Sequence, residues 1–423
     1  MVFSSFQFLF RFLPIFLLIY FIIPNTFKNW IILGGSLIFY YYGVIDHPSY
    51  VLLMLFAVVL NYILAIIMNR FQKDKGRRVC LILGMTYNIG CLAAFKYLSI
   101  AELPVGISFY TFQISSYLID VYRRKFPEEK SLLMLGTYLC LFPQLIAGPI
   151  VTYAHVRGQL RERVHSFAGF ENGLRVFTIG LALKVLIANR IGGLWNQVTT
   201  IGYESISTPL AWMGLFAFTF QIYFDFYGYS LMAKGLGQIM GFHFPDNFST
   251  PYLAKSMTDF WRRWHMTLGS WFREYVYIPL GGNRHHLYRN LLIVWILTGL
   301  WHGAGWNFVL WGIFLWGLIC IEKRGLGKWL EKNAFFGHLY MFFMIPMSWL
   351  LFAVNDFGKI LQYFQRLFPF FGQTQGIVYA GDYVKYGKQY AISFLAALLF
   401  STALPEKIYK KYKFSFWITL LLV

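Results

Sequence analysis

Two histidines in apolar surroundings are the side chains of this sequence best suited to acid–base chemistry. The first, His302, lies in LTGLWHGAGW, residues 297–306, between two apolar runs. A neutral imidazole can accept a proton from an attacking hydroxyl near neutral pH. No serine, cysteine or carboxylate lies close to His302 in sequence. The pattern therefore favours direct proton abstraction over a covalent enzyme intermediate.

The second histidine, His265, lies in DFWRRWHMTLGSWFREY, residues 259–275. Apolar residues recur there at three- and four-residue spacing, which predicts one amphipathic helix. Its tryptophans and tyrosine favour the membrane–water boundary. Two interpretations stay open. The helix is an interfacial anchor with a solvated arginine face, or His265 points inward while Arg262 and Arg263 bind a donor phosphate.

Two polar interruptions accompany the histidines. Asp225 lies within the aromatic stretch FDFYGY, residues 224–229, and FPQLIAGPI, residues 142–150, places two prolines and a glycine in an apolar run. Proline removes a backbone donor, so the second stretch predicts a kinked or re-entrant segment. Either interruption can be functional or purely structural.

The elements that must position these residues are membrane helices. Of the 423 residues, 58% are hydrophobic and 13% charged, about half the charged share of a soluble domain. The net charge of +19 comes from basic residues in short breaks between apolar runs, which the positive-inside rule explains better than nucleic-acid binding. The four cysteines lie in or beside apolar runs without a C-x-x-C pattern, so neither a metal site nor a disulfide is expected.

The positions of the apolar runs predict the topology. The basic breaks at residues 73–78, 123–130, 284–289, 322–332 and 406–413 should face the cytoplasm, which places the N-terminus outside. The last predicted run has too few residues to span a membrane. The candidate helices are residues 8–23, 30–44, 50–68, 79–100, 105–121, 132–150, 177–188, 209–226, 290–300, 307–321, 338–354, 390–404 and 414–423.

This topology places His302 at the apex of a hairpin. The chain leaves the cytoplasm near Arg289 and returns by Lys323. At ~1.5 Å per residue His302 lies about 20 Å from Arg289, inside the hydrocarbon core. An ionisable residue at that depth marks a functional site by default. The alternative is a neutral structural histidine bonded to a neighbouring carbonyl.

Several stretches together resemble one protein family. FPQLIAGPI (142–150), FDFYGYSLMAKGLGQIMGF (224–242), FWRRWH (260–265) and WHGA (301–304) look like motifs of the membrane-bound O-acyltransferase family. The nearest branch is that of bacterial alginate and peptidoglycan O-acetyltransferases, which is related to the protein that D-alanylates lipoteichoic acid. Leu315 and Leu231 depart from the family pattern, where some members have a histidine and an aspartate.

The resemblance implies the fold and the site. We expect an all-α polytopic membrane protein, one domain over residues 1–423, with about ten to twelve transmembrane helices plus re-entrant and interfacial helices around a central tunnel. His302 would be the catalytic histidine and His265 a second catalytic-site residue that orients the acyl group or hydrogen-bonds its carbonyl. The residues expected to line the tunnel are Asp225, Trp301 and Asn307.

The resemblance also implies the reaction. An acyl group, expected to be acetyl, would pass from a cytoplasmic acyl-CoA to a hydroxyl of a cell-surface or secreted polysaccharide outside a bacterial cytoplasmic membrane. No permanently bound cofactor is expected. The expected partners are an extracytoplasmic acetyl-handling enzyme and membrane lipid. Alternatives are D-alanyl transfer to teichoic acid, a glycan flippase with His302 and Asp225 as a proton relay, and a non-enzymatic scaffold.

Overall fold

Helices account for all the regular secondary structure that the computed structural model describes. The described residues are 2–146, 148–372, 376 and 378–412, and they contain no β-strand. The predicted all-α class is therefore confirmed. The helices are α1 (Leu13–Ile22), α2 (Lys28–Gly43), α3 (Ser49–Arg70), α4 (Asp74–Lys96), α5 (Ile107–Tyr122), α6 (Leu132–Cys140), α7 (Phe142–Leu145), α8 (Tyr153–Arg161), α9 (Phe167–Ala182), α10 (Asn189–Ile201), α11 (Thr208–Ile239), α12 (Met257–Arg263), α13 (Met266–Phe272), α14 (Leu287–His302), α15 (Trp306–Ile321), α16 (Gly327–Lys332), α17 (Ala334–Ala353), α18 (Phe357–Leu367), α19 (Asp382–Phe400) and α20 (Leu404–Tyr412).

Shorter turns of other helix types join or extend these α-helices. The π-helical turns are Phe8–Phe12, Leu183–Ala188, Arg273–Tyr277 and Glu322–Leu326, and the 3-10 turns are Asn25–Phe27, Pro251–Leu253 and Pro369–Phe371. The run predicted over 132–150 is broken after Cys140, beside Pro143, as the proline pattern indicates. The run predicted at 414–423 lies outside the described residues.

The apolar helices fit a membrane environment. Ser49–Arg70, Asp74–Tyr97 and Ala334–Ala353 are long and apolar enough to cross a bilayer, and the bent pair Asp382–Phe400 and Leu404–Tyr412 makes a fourth candidate if it is one span. The exposed face of α3 is as apolar as its buried face, which is typical of a helix in lipid. That exposed face carries Leu52, Phe56, Val59, Ile63 and Ile67. The expected ten to twelve transmembrane helices remain a prediction.

The chain forms two compact units. Unit 1 comprises Met1–Leu181 and Tyr229–Asp246, and unit 2 comprises Ala182–Gly228 and Asn247–Val423. In unit 1, Asn61 on α3 and Asn88 on α4 exchange amide hydrogen bonds at 2.9 and 3.0 Å inside an otherwise apolar interface. Buried Arg77 donates to the backbone carbonyls that end α3 and α5, including that of Val121 at 2.7 Å. Such polar pairs fix helix register where both faces are apolar.

In unit 2 the hairpin of α14 and α15 holds the two helices in backbone contact. A Cβ atom added to Gly299 would lie 2.3 Å from the carbonyl oxygen of Phe308, and one added to Gly312 would lie 2.4 Å from that of Trp295. Only glycine fits at such close approaches. The predicted hairpin is confirmed, and its apex is the short segment 303–305 between the two helices.

The continuous amphipathic helix predicted over 259–275 is wrong. The structure breaks it between α12 and α13, because His265 adopts a left-handed backbone conformation with φ 43° and ψ 53°. The apolar residues on either side of the break do lie on helices, α12 before it and α13 after it. A left-handed non-glycine residue costs on the order of 1 kcal/mol and persists only where surrounding contacts hold it.

The hairpin generates a first prediction, on stability. Gly312→Ala should lower the free energy of unfolding by about 1–3 kcal/mol, because the new methyl group forces α14 away from α15. Gly317→Ala is the matched control on the same helix, since a Cβ there meets no atom within 4 Å. Thermal unfolding of the detergent-solubilised protein measures both. Equal melting temperatures for the two variants would show that the close approach is absent.

Candidate active site

His302 is the last residue of α14, at the apex of the hairpin. Its ring lies among aromatic rings, with centroid distances of 4.6 Å to Trp301, 5.2 Å to Trp311 and 5.0 Å to Phe352. The Trp311 and Phe352 rings stand nearly perpendicular to the imidazole, at 88° and 81°. The imidazole thus makes T-shaped contacts with both rings, and its side chain remains partly accessible.

His265 is buried in the same unit, with 3% of its surface exposed. Its Nδ1 lies 3.0 Å from the side-chain oxygen of Asn247. That oxygen also accepts from the Thr267 backbone N–H at 3.3 Å and from the Thr267 hydroxyl at 2.9 Å, while the Asn247 backbone carbonyl accepts from Met266 N–H at 2.9 Å. Asn247 therefore both accepts hydrogen bonds from the first backbone N–H groups of α13 and hydrogen-bonds the imidazole.

These contacts fix which ring nitrogen of His265 carries hydrogen. A backbone N–H can only donate, so the Asn247 atom facing Thr267 is the amide oxygen. An oxygen acceptor facing Nδ1 requires an Nδ1–H donor. In the neutral ring the lone pair then lies on Nε2, which is buried and has no hydrogen-bond partner among the described residues. Nε2 of His265 is thus oriented as a hydrogen-bond acceptor.

The protonation state of His265 agrees with this geometry. His265 lies outside the helices that are long and apolar enough to span a membrane. Burial, and to a smaller extent the nearby His302, lowers the pKa of His265 well below its usual value. The imidazole is therefore neutral at physiological pH, and Nε2 can accept a hydrogen bond but cannot donate one.

The two histidines belong to one aromatic cluster. The His265 ring is 6.2 Å from Trp301, the residue that precedes His302, and packs edge-on against Phe226 at 4.6 Å. The structure thus brings His265, Trp301 and His302 together. A tunnel shared by the two histidines remains a prediction.

Glu322 holds the helix that leads to His265. Its buried carboxylate accepts from the backbone N–H groups of Met257 at 2.6 Å and Thr258 at 2.8 Å, and from the Thr258 hydroxyl at 2.6 Å. A carboxylate at a helix N-terminus satisfies orphan donors and complements the helix dipole. Because Glu322 follows α15, it ties α12 to the hairpin that carries His302.

The two predicted donor-binding arginines differ in their surroundings. Arg263 Nε lies 3.0 Å from the Asp259 carboxylate, one helical turn earlier, so its charge is partly compensated. Arg262 is exposed at the end of the same helix, and the described residues give it no acidic partner. Of the pair, Arg262 is the one whose guanidinium is available to a phosphate.

The predicted tunnel-lining residues take different places. Asp225 forms an ion pair with Lys184, which lies in a π-helical turn. Asn307 is fully buried, and its amide donates to the carbonyls of Leu351 at 3.2 Å and Phe352 at 3.4 Å, linking the start of α15 to the end of α17. The Trp301 ring is 6.2 Å from the His265 ring and 4.6 Å from the His302 ring. Whether any of the three lines a tunnel stays a prediction.

Three residues of this arrangement were not predicted from sequence patterns. Asn247 and Glu322 act on partners far along the chain, and Glu322 falls in a break interpreted only as a topology signal. Lys184 did leave a signal, because a lysine inside the run 177–188 calls for a counter-charge. An acidic residue in another apolar run, Asp225, was the available partner.

A helical membrane protein with a partly accessible histidine at a hairpin apex is compatible with a membrane acyltransferase, and the comparisons show that class. The family described as "MBOAT, membrane-bound O-acyltransferase family" matches residues 123–355. The "Probable alginate O-acetylase AlgI" of Pseudomonas aeruginosa is 35% identical over 397 residues, covering 88% of this chain and 75% of the relative. The chain belongs to the membrane-bound O-acyltransferase family.

Two further relatives show how far the family likeness extends. The "Peptidoglycan O-acetyltransferase" of Helicobacter pylori is 33% identical over 423 residues, covering 86% of this chain and 79% of the relative. The "Teichoic acid D-alanyltransferase" of Bacillus subtilis is 27% identical over 223 residues, covering 49% and 55%. The protein is accordingly an enzyme, an O-acyltransferase, and a membrane protein.

The hydrogen bonds of Glu322 to the start of α12 generate a second prediction. Glu322→Ala should lower the free energy of unfolding by about 3 kcal/mol, because buried donors at Met257 and Thr258 lose their acceptor. Glu331→Ala, an exposed glutamate of α16, is the control and should be nearly neutral. Thermal unfolding measures both. A loss no larger than that of the control would mean that the carboxylate does not hold α12.

Proposed function

We propose that the protein transfers an acetyl group from a cytoplasmic acyl thioester, acetyl-CoA, to a polysaccharide hydroxyl on the outer side of a bacterial cytoplasmic membrane. The single observation that carries the proposal is the pairing of His302 with the oriented acceptor nitrogen of His265 in one aromatic cluster. The names of the alginate and peptidoglycan O-acetylating relatives support a polysaccharide acceptor. An extracytoplasmic partner enzyme would pass the group onward, because such a polymer lies outside the membrane.

In the proposed reaction the acceptor hydroxyl attacks the thioester carbonyl carbon. His302 takes the hydroxyl proton as the new C–O bond forms. The tetrahedral intermediate then collapses, the C–S bond breaks, and the thiolate leaves with the proton that His302 returns. No covalent enzyme intermediate is needed.

The tautomer of His265 supports a narrower role than the sequence does. A neutral imidazole with hydrogen on Nδ1 cannot donate from Nε2 to the thioester carbonyl, so hydrogen-bonding of that carbonyl is disfavoured. The remaining role is to accept a hydrogen bond from a substrate O–H or N–H group and so orient it beside His302. His265 is then a supporting residue, and His302 is the general base.

The ion pair of Asp225 with Lys184 weighs against the flippase alternative. A proton relay from His302 to Asp225 requires a carboxylate without a fixed cationic partner, whereas Asp225 is ion-paired with Lys184. D-alanyl transfer to teichoic acid remains the alternative within the same reaction class, supported by a relative that covers half of this chain.

The deciding experiment follows labelled acetyl-CoA in proteoliposomes. The protein should consume the thioester and label a soluble alginate or peptidoglycan fragment placed on the opposite side, with the partner enzyme added where direct transfer is slow. A D-alanyltransferase would instead leave acetyl-CoA intact and require a D-alanyl thioester. Transport of a lipid-linked glycan without any thioester consumption would refute acyl transfer.

A third prediction concerns the two histidines. His302→Ala should lower kcat by about 10²- to 10⁴-fold, the usual contribution of a general base, and His265→Ala should lower it less. The double variant should be little worse than His302→Ala alone, because groups acting on one step are not additive. His338→Ala, on α17, is a control for histidine loss. Near wild-type transfer by His302→Ala would rule out this mechanism.

A fourth prediction tests the tautomer through pH dependence. Asn247→Asp keeps an oxygen acceptor for Nδ1–H and Thr267 but adds a negative charge, which favours the imidazolium and raises the pKa of His265. Activity requires the neutral ring, so the acid limb of kcat/KM should move to higher pH by about one unit or more. An electrostatic interaction with His302 already acts on His265, in the opposite direction, since it lowers the pKa of His265.

The control for this variant is Asn290→Asp, at a buried asparagine near the start of α14. Its acid limb should stay in place. An unchanged acid limb in Asn247→Asp, with a folded protein, would show that the neutral form of His265 is not required.

A fifth prediction separates the arginines. Arg262→Ala should raise the apparent KM for acetyl-CoA several-fold with little change in kcat, because an exposed guanidinium can contact the donor phosphates. Arg263→Ala should change KM less, because Asp259 already compensates its charge. Steady-state kinetics over donor concentration measure both. Unchanged donor affinity in both variants would leave the pair as an interfacial anchor.

A further inference from the structure

Unit 1 contains a cluster of basic side chains with no acidic partner among the described residues. Lys28, at the start of α2, is 6% exposed. Its Nζ lies 3.5 Å from Nδ1 of His165 and 4.9 Å from the centre of the Tyr20 ring. Arg163 is close enough to both Lys28 and His165 to disfavour their charged forms electrostatically. A buried ammonium without a counter-charge is costly, so the arrangement calls for an anion.

The hydrogen bonds of the cluster have one consistent direction. The Tyr20 hydroxyl donates to the Met240 carbonyl at 2.7 Å, so towards His165 Nε2 at 2.9 Å its oxygen must accept. Nε2 of His165 therefore carries the hydrogen, and Nδ1 accepts from the Lys28 ammonium. This contact uses one of the three N–H donors of Lys28. Burial, Lys28 and Arg163 lower the pKa of His165 below its usual value, which keeps that ring neutral.

Arg163 adds unused donors at the same place. Its Nη1 donates to the Gln159 carbonyl at 3.0 Å, and the guanidinium lies 4.8 Å from the centre of the Phe242 ring. Its Nε is buried without a hydrogen-bond partner. The guanidinium also hydrogen-bonds the Tyr20 side chain. Its unpartnered Nε–H, in the same cluster as a buried ammonium, is suited to a phosphate group, whose oxygens accept from both.

An apolar groove adjoins the cluster. It is a cavity of about 500 Å³ on α1, α2 and the turn before α1, and its walls include Ile15, Phe16, Ile19, Trp30, Ile31 and Gly34. Phe16 on the groove wall stacks on Tyr20 of the cluster with ring centres 6.0 Å apart, and Ile31 on the groove wall lies one helical turn from Lys28 on α2. The groove and the basic cluster are therefore neighbours along α1 and α2. A Cβ added to Gly34 meets nothing within 4 Å, which leaves the groove open at that position.

We propose that this groove and cluster form a binding site for one membrane phospholipid with an anionic headgroup. The lipid phosphate is held by Lys28 and Arg163, and an acyl chain lies along the groove between α1 and α2. A soluble phosphate compound would use the cluster but would leave the apolar walls exposed. A choline headgroup would bring a cation towards Lys28 and Arg163, so phosphatidylglycerol should bind more tightly than phosphatidylcholine.

The test measures lipid retention by native mass spectrometry of the purified full-length protein in mild detergent. Titration with phosphatidylglycerol should give one tightly held lipid, with weaker binding of phosphatidylcholine. Lys28→Met removes the ammonium and Gly34→Leu fills the groove, and each should weaken phosphatidylglycerol binding at least ten-fold. Lys75→Met and Gly90→Leu make the same changes at an exposed lysine and at an open glycine outside the site, and should bind as the unaltered protein does.

Coenzyme A serves as the soluble phosphate-bearing probe in the second arm. Loss of coenzyme A binding in Lys28→Met, with phosphatidylglycerol binding intact, would overturn the lipid assignment, as would equal phosphatidylglycerol binding by all four variants. Arg163→Gln replaces Lys28→Met if the latter does not fold. The site does not depend on the proposed reaction, so its failure leaves the acyl-transfer assay unaffected.

Discussion

The amide oxygen of Asn247 is the contact on which the candidate site depends. It accepts hydrogen bonds from the His265 ring and from Thr267, and its residue also caps the start of α13. The left-handed conformation of His265 is stable only because these donors have an acceptor at that point. Without it, the imidazole N–H of His265 and the backbone N–H and hydroxyl of Thr267 would lose their acceptor.

Both histidines lie at helix breaks, and this has a chemical consequence. Inside a helix the backbone N–H and C=O groups hydrogen-bond each other, whereas a break leaves donors and acceptors that side chains must satisfy. Asn247 does this at His265, and Glu322 does it at the start of α12, the helix that leads there. Asn307 ties the helix after His302 to α17. Polar residues thus fix the breaks, while tryptophans and phenylalanines fill the space between them.

Sequence patterns predicted the parts that depend on local composition. The apolar runs before and after residues 299–305 indicated a hairpin with His302 at its apex, since helix length and glycine preference are local properties. The break at His265 could not be predicted in this way, because it depends on Asn247, 18 residues earlier. The ion pair of Lys184 with Asp225 spans 41 residues and likewise depends on how the helices pack. Hydrophobic periodicity therefore does not predict polar contacts between residues that are distant in sequence.

The central claim is that donor and acceptor react beside His302 and His265, and a ligand-bound structure tests it most directly. The measurement is a cryo-electron microscopy structure of the protein in lipid nanodiscs with a non-hydrolysable thioether analogue of acetyl-CoA. The account predicts the analogue carbonyl within hydrogen-bond reach of a hydroxyl or water held by His302, and a substrate O–H or N–H group facing Nε2 of His265. A carbonyl bound elsewhere, or Nε2 occupied by a protein donor, would contradict it.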